Sequence, residues 1–357
     1  MDILKIDKNF VQEKVTTEGG VKLYALPSAP FELYGVFYDE KEGRFLRMPK
    51  EIAAATSGGV DYLNKNTAGG RVRFSTDSDY LELRVTYSAL SQMPHMPHTG
   101  SSGFALLEET ENGSVFTNLM RPLWTEEKGF TAKIPLWGGK MRQYTLYFPL
   151  YNDVESVAIG VKENAQVAGG KKYKDVKPVL YYGSSITQGG CASRPDNSYQ
   201  GFIAKWTNTD YINLGFSGNG KAEPIMAEYL ASIDCSVFVC DYDHNAPNPE
   251  HLEATHEPLY RTFRKSHPTT PIVFISKPDH CTDPINDARR AIIAATYEKA
   301  KTEGDENVYF IDGETLFMDG DRESCTIDGC HPNDLGFYRM ARVIGAKLGE
   351  IDEAFRF

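Results

Sequence analysis

The chain changes its rhythm of apolar and polar residues near its middle. In the first part the period is two. Arg71-Val72-Arg73-Phe74-Ser75 sets Val72 and Phe74 on one side, and residues 80–87 continue with Leu81, Leu83 and Val85 opposite Glu82, Arg84 and Thr86. Strand side chains alternate between faces, so this pattern predicts half-buried β-strands. Phe31 to Tyr38, Phe104 to Glu108 and Gln143 to Leu150 read as further strands. Turn residues punctuate them: Gly-Gly at 58–59, 69–70 and 138–139, and Asn-Gly at 112–113. No long helical period appears before about residue 165. Short strands separated by polar turns predict a β-sandwich or jelly roll.

Residues 164–178, NAQVAGGKKYKDVKP, are polar, rich in Gly and Lys, and end in proline. Such a stretch marks a boundary. It predicts an all-β domain over 1–170 and a second domain over 171–357. In the second, short apolar runs alternate with amphipathic segments. Val179 to Tyr182, Tyr211 to Leu214, Val237 to Cys240, Ile272 to Ile275 and Val308 to Ile311 read as strands. Tyr199 to Thr207, Ala222 to Ser232, Glu250 to Ser266, Asp287 to Thr302 and Asp334 to Leu348 read as helices. This alternation predicts an α/β domain of three layers, with a parallel sheet covered on both faces. Ligands bind such sheets beyond the carboxyl ends of the strands.

Composition narrows the class. The 357 residues are 41% hydrophobic and 24% charged, the range of a soluble globular chain. A formal net charge of -11 disfavours nucleic acid and anionic membrane surfaces as partners. The first residues, MDILKIDKNFVQEK, lack the basic and apolar regions of a signal peptide, and no run of 18 apolar residues exists. A cytoplasmic protein is expected. The six cysteines, Cys191, Cys235, Cys240, Cys281, Cys325 and Cys330, form no C-x-x-C pair and are expected to be reduced thiols. A homo-oligomer is compatible with all of this.

The strand ends carry the candidate chemistry. Gly183-Ser184-Ser185-Ile186-Thr187-Gln188-Gly189 follows the first strand of the second half. A serine at a sharp exit can present its hydroxyl above the sheet, although alone it is more often a helix cap. Asn213-Leu214-Gly215-Phe216-Ser217-Gly218-Asn219-Gly220 follows the next strand, and its glycines let backbone N–H groups face an anion. Asp241 to Pro247 follows the third, with Asn245 able to donate an amide into the same cleft. Asp328-Gly329-Cys330-His331-Pro332-Asn333 precedes the last helix, where a carboxylate three residues before an imidazole can orient it.

This order resembles the four blocks of the SGNH/GDSL hydrolase superfamily, over roughly residues 178–350. Asp328-x-x-His331-Pro332-Asn333 fits its last block closely. The first block usually reads Gly-Asp-Ser, and Ser184 stands in place of its Asp. With Gly190-Cys191-Ala192-Ser193-Arg194-Pro195, that variant resembles a subgroup with an N-terminal β-domain marked by Gly-x-Asp-Leu-Tyr. The chain has Gly59-Val60-Asp61-Tyr62-Leu63. The third block departs from Gly-x-Asn-Asp.

The resemblance implies a three-layer, flavodoxin-like catalytic domain and a serine esterase mechanism. Ser185 is the implied nucleophile, His331 its base and Asp328 the carboxylate that orients the base. The implied oxyanion donors are the Ser185 and Gly218 N–H groups and the Asn245 amide. No metal or organic cofactor is required. Relatives with an accessory β-domain remove acetyl groups from carbohydrates, so a small acyl ester of a sugar or oligosaccharide is the expected substrate. Trp124, Trp137 and Arg194 are candidates to touch it.

Other readings predict different behaviour. Gly215 to Lys221 spells G-x-x-x-x-G-K, but Ala222 lacks the hydroxyl that a nucleotide-bound magnesium needs. A non-catalytic carbohydrate-binding protein with a degenerate hydrolase half would leave Ser185, Asp328 and His331 without roles. Metal sites at His95 and His98, or at Asp241, Asp243 and His244, have plausible spacing, but such histidines in a Pro-rich loop usually face solvent.

Overall fold

The first half of the chain is a sandwich of two antiparallel sheets. One sheet runs Val15–Glu18, Val21–Ala25, Val154–Lys162, Tyr80–Tyr87, Gly129–Pro135 in spatial order. The other runs Val167–Gly169, Arg71–Thr76, Arg142–Tyr147, Phe104–Thr110, Gly113–Met120, with Glu32–Tyr34 also paired to Arg71–Thr76. Val72, Phe74 and Leu146 from one sheet meet Leu81, Leu83 and Val85 from the other in a single core. The computed structural model of the protein describes residues 15–279 and 283–357. The N-terminal stretch read for a signal peptide and Cys281 lie outside the described residues.

The alternation places Val72 and Phe74 correctly, but the opposite face is not solvated. Every residue of Arg71–Thr76 is buried, because that face lies against the second half. The Arg71 side chain pairs with Asp210, donates to the Tyr211 carbonyl at 3.1 Å and lies 3.8 Å over the Tyr211 ring. Arg73 reaches Asn208 Oδ1 at 3.0 Å. Guanidinium groups tolerate such burial because every donor finds an acceptor.

Two expectations in this half change. Phe31 to Tyr38 splits into Glu32–Tyr34 and Phe37–Asp39. Gly35 between them has φ +72°, and a Cβ there would lie 2.2 Å from the Gly69 carbonyl oxygen. Gly58-Gly59 is not a turn between strands. It opens the helix Gly58–Asn64, which follows the helix Lys50–Thr56, and the Ser57 hydroxyl caps it by accepting from Val60 N at 3.1 Å. Ala53, Val60 and Leu63 from these helices, with Met48, join the core under the parallel sheet.

That sheet has the order Tyr211–Gly215, Val179–Gly183, Val237–Asp241, Ile272–Ile275, Val308–Ile311, and every pair is parallel. Successive residues feed two cores: Leu180 and Tyr182 one, Val179 and Tyr181 the other. Helices Pro224–Leu230, Pro249–Ser266 and Pro284–Thr302 cover the first face, and Tyr199–Thr207 and Asp334–Ile351 the second. The predicted helix from Ala222 begins only at Pro224, since Ala222 has φ +55° and gives its N–H to the Tyr182 hydroxyl at 2.8 Å. Among the described residues no helix is long and apolar enough to cross a membrane.

Candidate active site

The first strand of the parallel sheet ends at Gly183 and turns at once into a one-turn helix, Ser185–Gln188. Ser184 caps it: its hydroxyl accepts from Ile186 N at 3.1 Å, and its own N–H donates to Thr187 Oγ1 at 2.9 Å. Gly189 closes the turn with φ +102°, a conformation glycine adopts without steric cost. Ser184, in the place of the family's Asp, is thus a helix cap. Ser185 sits at the first helical position, 5% exposed.

The Ser185 hydroxyl lies 2.9 Å from His331 Nε2. His331 Nδ1 lies 2.8 Å from Asp328 Oδ2. The other oxygen of Asp328 accepts the backbone N–H of His331 at 2.7 Å and of Cys330 at 3.0 Å. Partial burial pushes the Asp328 carboxyl up, but the hydrogen bonds from the His331 backbone, its ring and the Cys330 backbone outweigh it and hold the group at about 2. The carboxylate is therefore charged and accepts from Nδ1, which leaves Nε2 as the acceptor facing Ser185. Asn333 then starts the last helix by accepting from Leu335 N and Gly336 N.

The loop after Tyr211–Gly215 wraps beside this group. Phe216 N donates to Gly183 O at 2.9 Å, Ser217 N to Gln188 Oε1 at 3.0 Å, and Asn219 N and Gly220 N to Phe216 O. Gly218 has φ +68°, and its N–H donates to no group among the described residues. A phosphate cradle needs several such N–H groups free, so this loop does not form one. Asn245 lies across the loop, with Nδ2 2.9 Å from the Phe216 carbonyl. One of its two amide hydrogens is spent there and the other is available.

The remaining candidates fall elsewhere. Arg194 is clamped by Asp196 at 3.0 and 3.1 Å and lies 4.0 Å over the Phe116 ring. There it lines a cavity of about 570 Å³ whose walls include neither Ser185 nor His331. Trp124 is 63% exposed and stacks on the buried His98 at 4.3 Å. Both His98 ring nitrogens are engaged, one by Pro122 O and one by Ser102 Oγ. His95 is exposed, with its ring 5.9 Å from that of His331. Trp137 is exposed on the sandwich. Asp241 bonds Thr187 and Tyr199, and Asp243 bonds His244 and Lys277 N. Among the described residues no group of three or more His, Cys, Asp or Glu side chains is placed to hold a metal. Cys191, Cys235, Cys240, Cys325 and Cys330 are free thiols.

Sequence reasoning missed Gln188, Tyr151 and Asn66. Gln188 Nε2 donates to Asn66 Oδ1 and Leu150 O, both at 3.1 Å, and the Tyr151 hydroxyl donates to Ser185 O at 3.1 Å. Gln188 falls inside the block at 183–189 without a role assigned to it, and the Gly59-Val60-Asp61-Tyr62-Leu63 stretch lies just before Asn66.

Residues 176–348 match the model of the GDSL-like lipase/acylhydrolase family, and residues 21–167 match that of the N-terminus of SGNH-hydrolase-type esterases. Among solved structures, a protein of Bacteroides ovatus described as a GDSL-like lipase is 28% identical, with a TM-score of 0.83 over 92% of this chain and 98% of its own. The salicylyl-acyltransferase of a tetracycline biosynthetic pathway is 18% identical, with a TM-score of 0.74 over 94% of this chain and 98% of its own. An acetyl xylan esterase of the rumen bacterium Butyrivibrio proteoclasticus is 14% identical, with a TM-score of 0.59 over 94% of this chain and 100% of its own. These last two share the fold. None of the curated proteins compared with the chain matches it. With a GDSL-like acylhydrolase half, the N-terminal domain that accompanies it and the fold of both, the chain belongs to the SGNH/GDSL hydrolases and is an ester hydrolase.

Proposed function

We propose that the protein removes small acyl groups, acetyl above all, from carbohydrate esters through an acyl-enzyme on Ser185. The observation that carries this reading is the line Ser185 Oγ to His331 Nε2 to Asp328 Oδ2, at 2.9 and 2.8 Å. A serine hydroxyl is a weak nucleophile until a base takes its proton. His331 takes it as Ser185 attacks the ester carbonyl, and Asp328 holds the imidazole and stabilises its charge. The oxyanion of the tetrahedral intermediate accepts from the Ser185 and Gly218 N–H groups and the free hydrogen of Asn245. His331 then protonates the departing alcohol, and water repeats the sequence to release the acid. Losing one oxyanion donor costs about 2.7–4 kcal/mol in such sites.

The sugar ester rests on two supports. The acetyl xylan esterase shares the two-part fold, and Trp124 offers an exposed indole face on the first half. Aromatic faces stack on pyranose rings. The test is hydrolysis of a chromogenic acetyl ester and of acetylated xylo-oligosaccharides by the parent and by Ser185→Ala. Turnover of both by the parent and of neither by the variant is expected. Binding of the oligosaccharide without turnover would instead favour a non-catalytic carbohydrate-binding protein.

A further inference from the structure

The groups proposed for chemistry lie around Ser185 and His331, yet residues of the first half reach both the Ser185 backbone and the loop carrying Gly218. Tyr151 is buried. Its hydroxyl donates to the Ser185 carbonyl at 3.1 Å. One phenol oxygen thus ties the nucleophile's own backbone to the first half. Gln188, wholly buried, makes a second link: Asn66 Oδ1 and Leu150 O fix its amide nitrogen, and its oxygen accepts Ser217 N. Arg47 donates to Gly215 O and to Leu63 O, and its guanidinium lies 4.4 Å over the Phe216 ring. Beyond Gly218, a Cβ on Gly59 would lie 2.0 Å from Asn219 Oδ1, so the helix Gly58–Asn64 abuts that side of the loop. Residues on both sides of Gly218 are therefore braced from the first half, directly at Asn219 and through Gln188 at Ser217, while the Gly218 N–H donates to no group among the described residues. A backbone donor aids an oxyanion only when its position is fixed before charge develops.

We infer that the first half is the scaffold of the oxyanion hole, with Tyr151 as a positioning residue for the Ser185 backbone and Asn66, through Gln188, as one for the segment at 217–218. This rests on the reading of Ser185 as nucleophile. Tyr151→Phe keeps the ring and its packing and removes the hydroxyl that holds the Ser185 carbonyl. Because an oxyanion forms with every ester, the defect falls on kcat whatever the alcohol. A substrate-recognition role would instead fall on KM, and only for sugar esters.

The experiment compares the parent, Tyr151→Phe, Asn66→Ala and Ser185→Ala on an aryl acetate and on an acetylated xylo-oligosaccharide. It also measures inhibition by a small alkyl boronic acid, whose tetrahedral serine adduct places an oxygen in the hole. The expected result for Tyr151→Phe is a roughly 10- to 100-fold fall in kcat on both substrates. KM should stay within about twofold, and boronate affinity should fall in the same proportion as kcat. Asn66→Ala should move the same quantities in the same direction, and it carries the test should Tyr151→Phe fail to fold. Parental kcat and boronate affinity in both variants, with Ser185→Ala inactive, would overturn the inference alone. So would a KM increase confined to the sugar ester. Turnover by Ser185→Ala would remove the reading beneath it.

Discussion

The Tyr199 hydroxyl lies 3.0 Å from one oxygen of Asp241, and Thr187 Oγ1 bonds the other. Asp241 is buried at the end of the strand Val237–Asp241, directly beneath the turn that carries Ser185. Burial pushes its carboxyl up to about 8, against the lowering effect of the two hydroxyl donors and with Asp243 adding to the rise. At neutral pH it is an uncharged acid. The unfolded chain ionises this group near pH 4, so the folded state holds the extra proton between about pH 4 and pH 8. Stability from this group is whole below that window and is lost as pH rises through it. Asp241→Asn copies the neutral acid and should abolish the loss. Urea unfolding of parent and variant from pH 5 to 8 should give a difference that grows with pH in favour of the variant. Parallel curves would mean that Asp241 is charged in the fold.

Asp328 stays ionised to about pH 2, so it contributes no acid limb to the activity profile in the working range. In the proposed mechanism its role is to orient His331. Asp328→Asn should therefore lower kcat by between about 10²- and 10⁴-fold with little change in KM. Steady-state kinetics on an aryl acetate read this directly. A loss smaller than tenfold would show that His331 keeps its tautomer without the carboxylate.

Gly59 has no room for a methyl group because Asn219 Oδ1 stands where the Cβ would go. Asn219 in turn donates to Ser217 O at 2.8 Å. Gly59→Ala should push that side chain aside and cost about 1–3 kcal/mol of stability, as overpacking does. Adding Asn219→Ala should recover part of the loss, a coupling that a double-mutant cycle by thermal unfolding would measure. Strictly additive effects would place the strain elsewhere.

Arg71 is a fully buried charged group between the halves. Its Nε donates to the Tyr173 hydroxyl at 2.9 Å, and its other nitrogens reach Gly69 O, Tyr211 O and Asp210. Arg71→Met leaves those acceptors without donors, and breaking a buried pair of this kind costs about 3–5 kcal/mol. Denaturant unfolding should register a loss of that order. A change below about 1 kcal/mol would mean that water replaces the guanidinium.

The strands and the helices of the parallel sheet were legible because local rules govern them, and Ser185, His331 and Asp328 stood out through the order of their sequence blocks and the family resemblance. Period-two patterns place Val72, Phe74, Leu81 and Leu83 in the sandwich core, and the strand ends point to Ser185 and Gly218. What escaped depends on distant partners. Arg71 and Arg73 look like a solvent face until Asp210 and Asn208 arrive from the other half. Gly58-Gly59 has the composition of a turn, and only burial of Val60 and Leu63 against the parallel sheet makes it a helix. Asn66 meets Gln188 across more than a hundred residues of sequence, which no spacing rule can find. Arg194 is close to Ser185 in sequence, but Asp196 and Phe116 hold it against another cavity.

The helices Lys50–Thr56 and Gly58–Asn64 place Ala53, Val60 and Leu63 among Leu180, Tyr182 and Phe216. A gene cut at the polar stretch 164–178 would thus leave a hole in one product and a greasy pair of helices on the other. The boundary that composition suggests is not a seam along which the protein can be shuffled. To pair this hydrolase half with a foreign accessory domain, the graft must carry residues 47–66 with it.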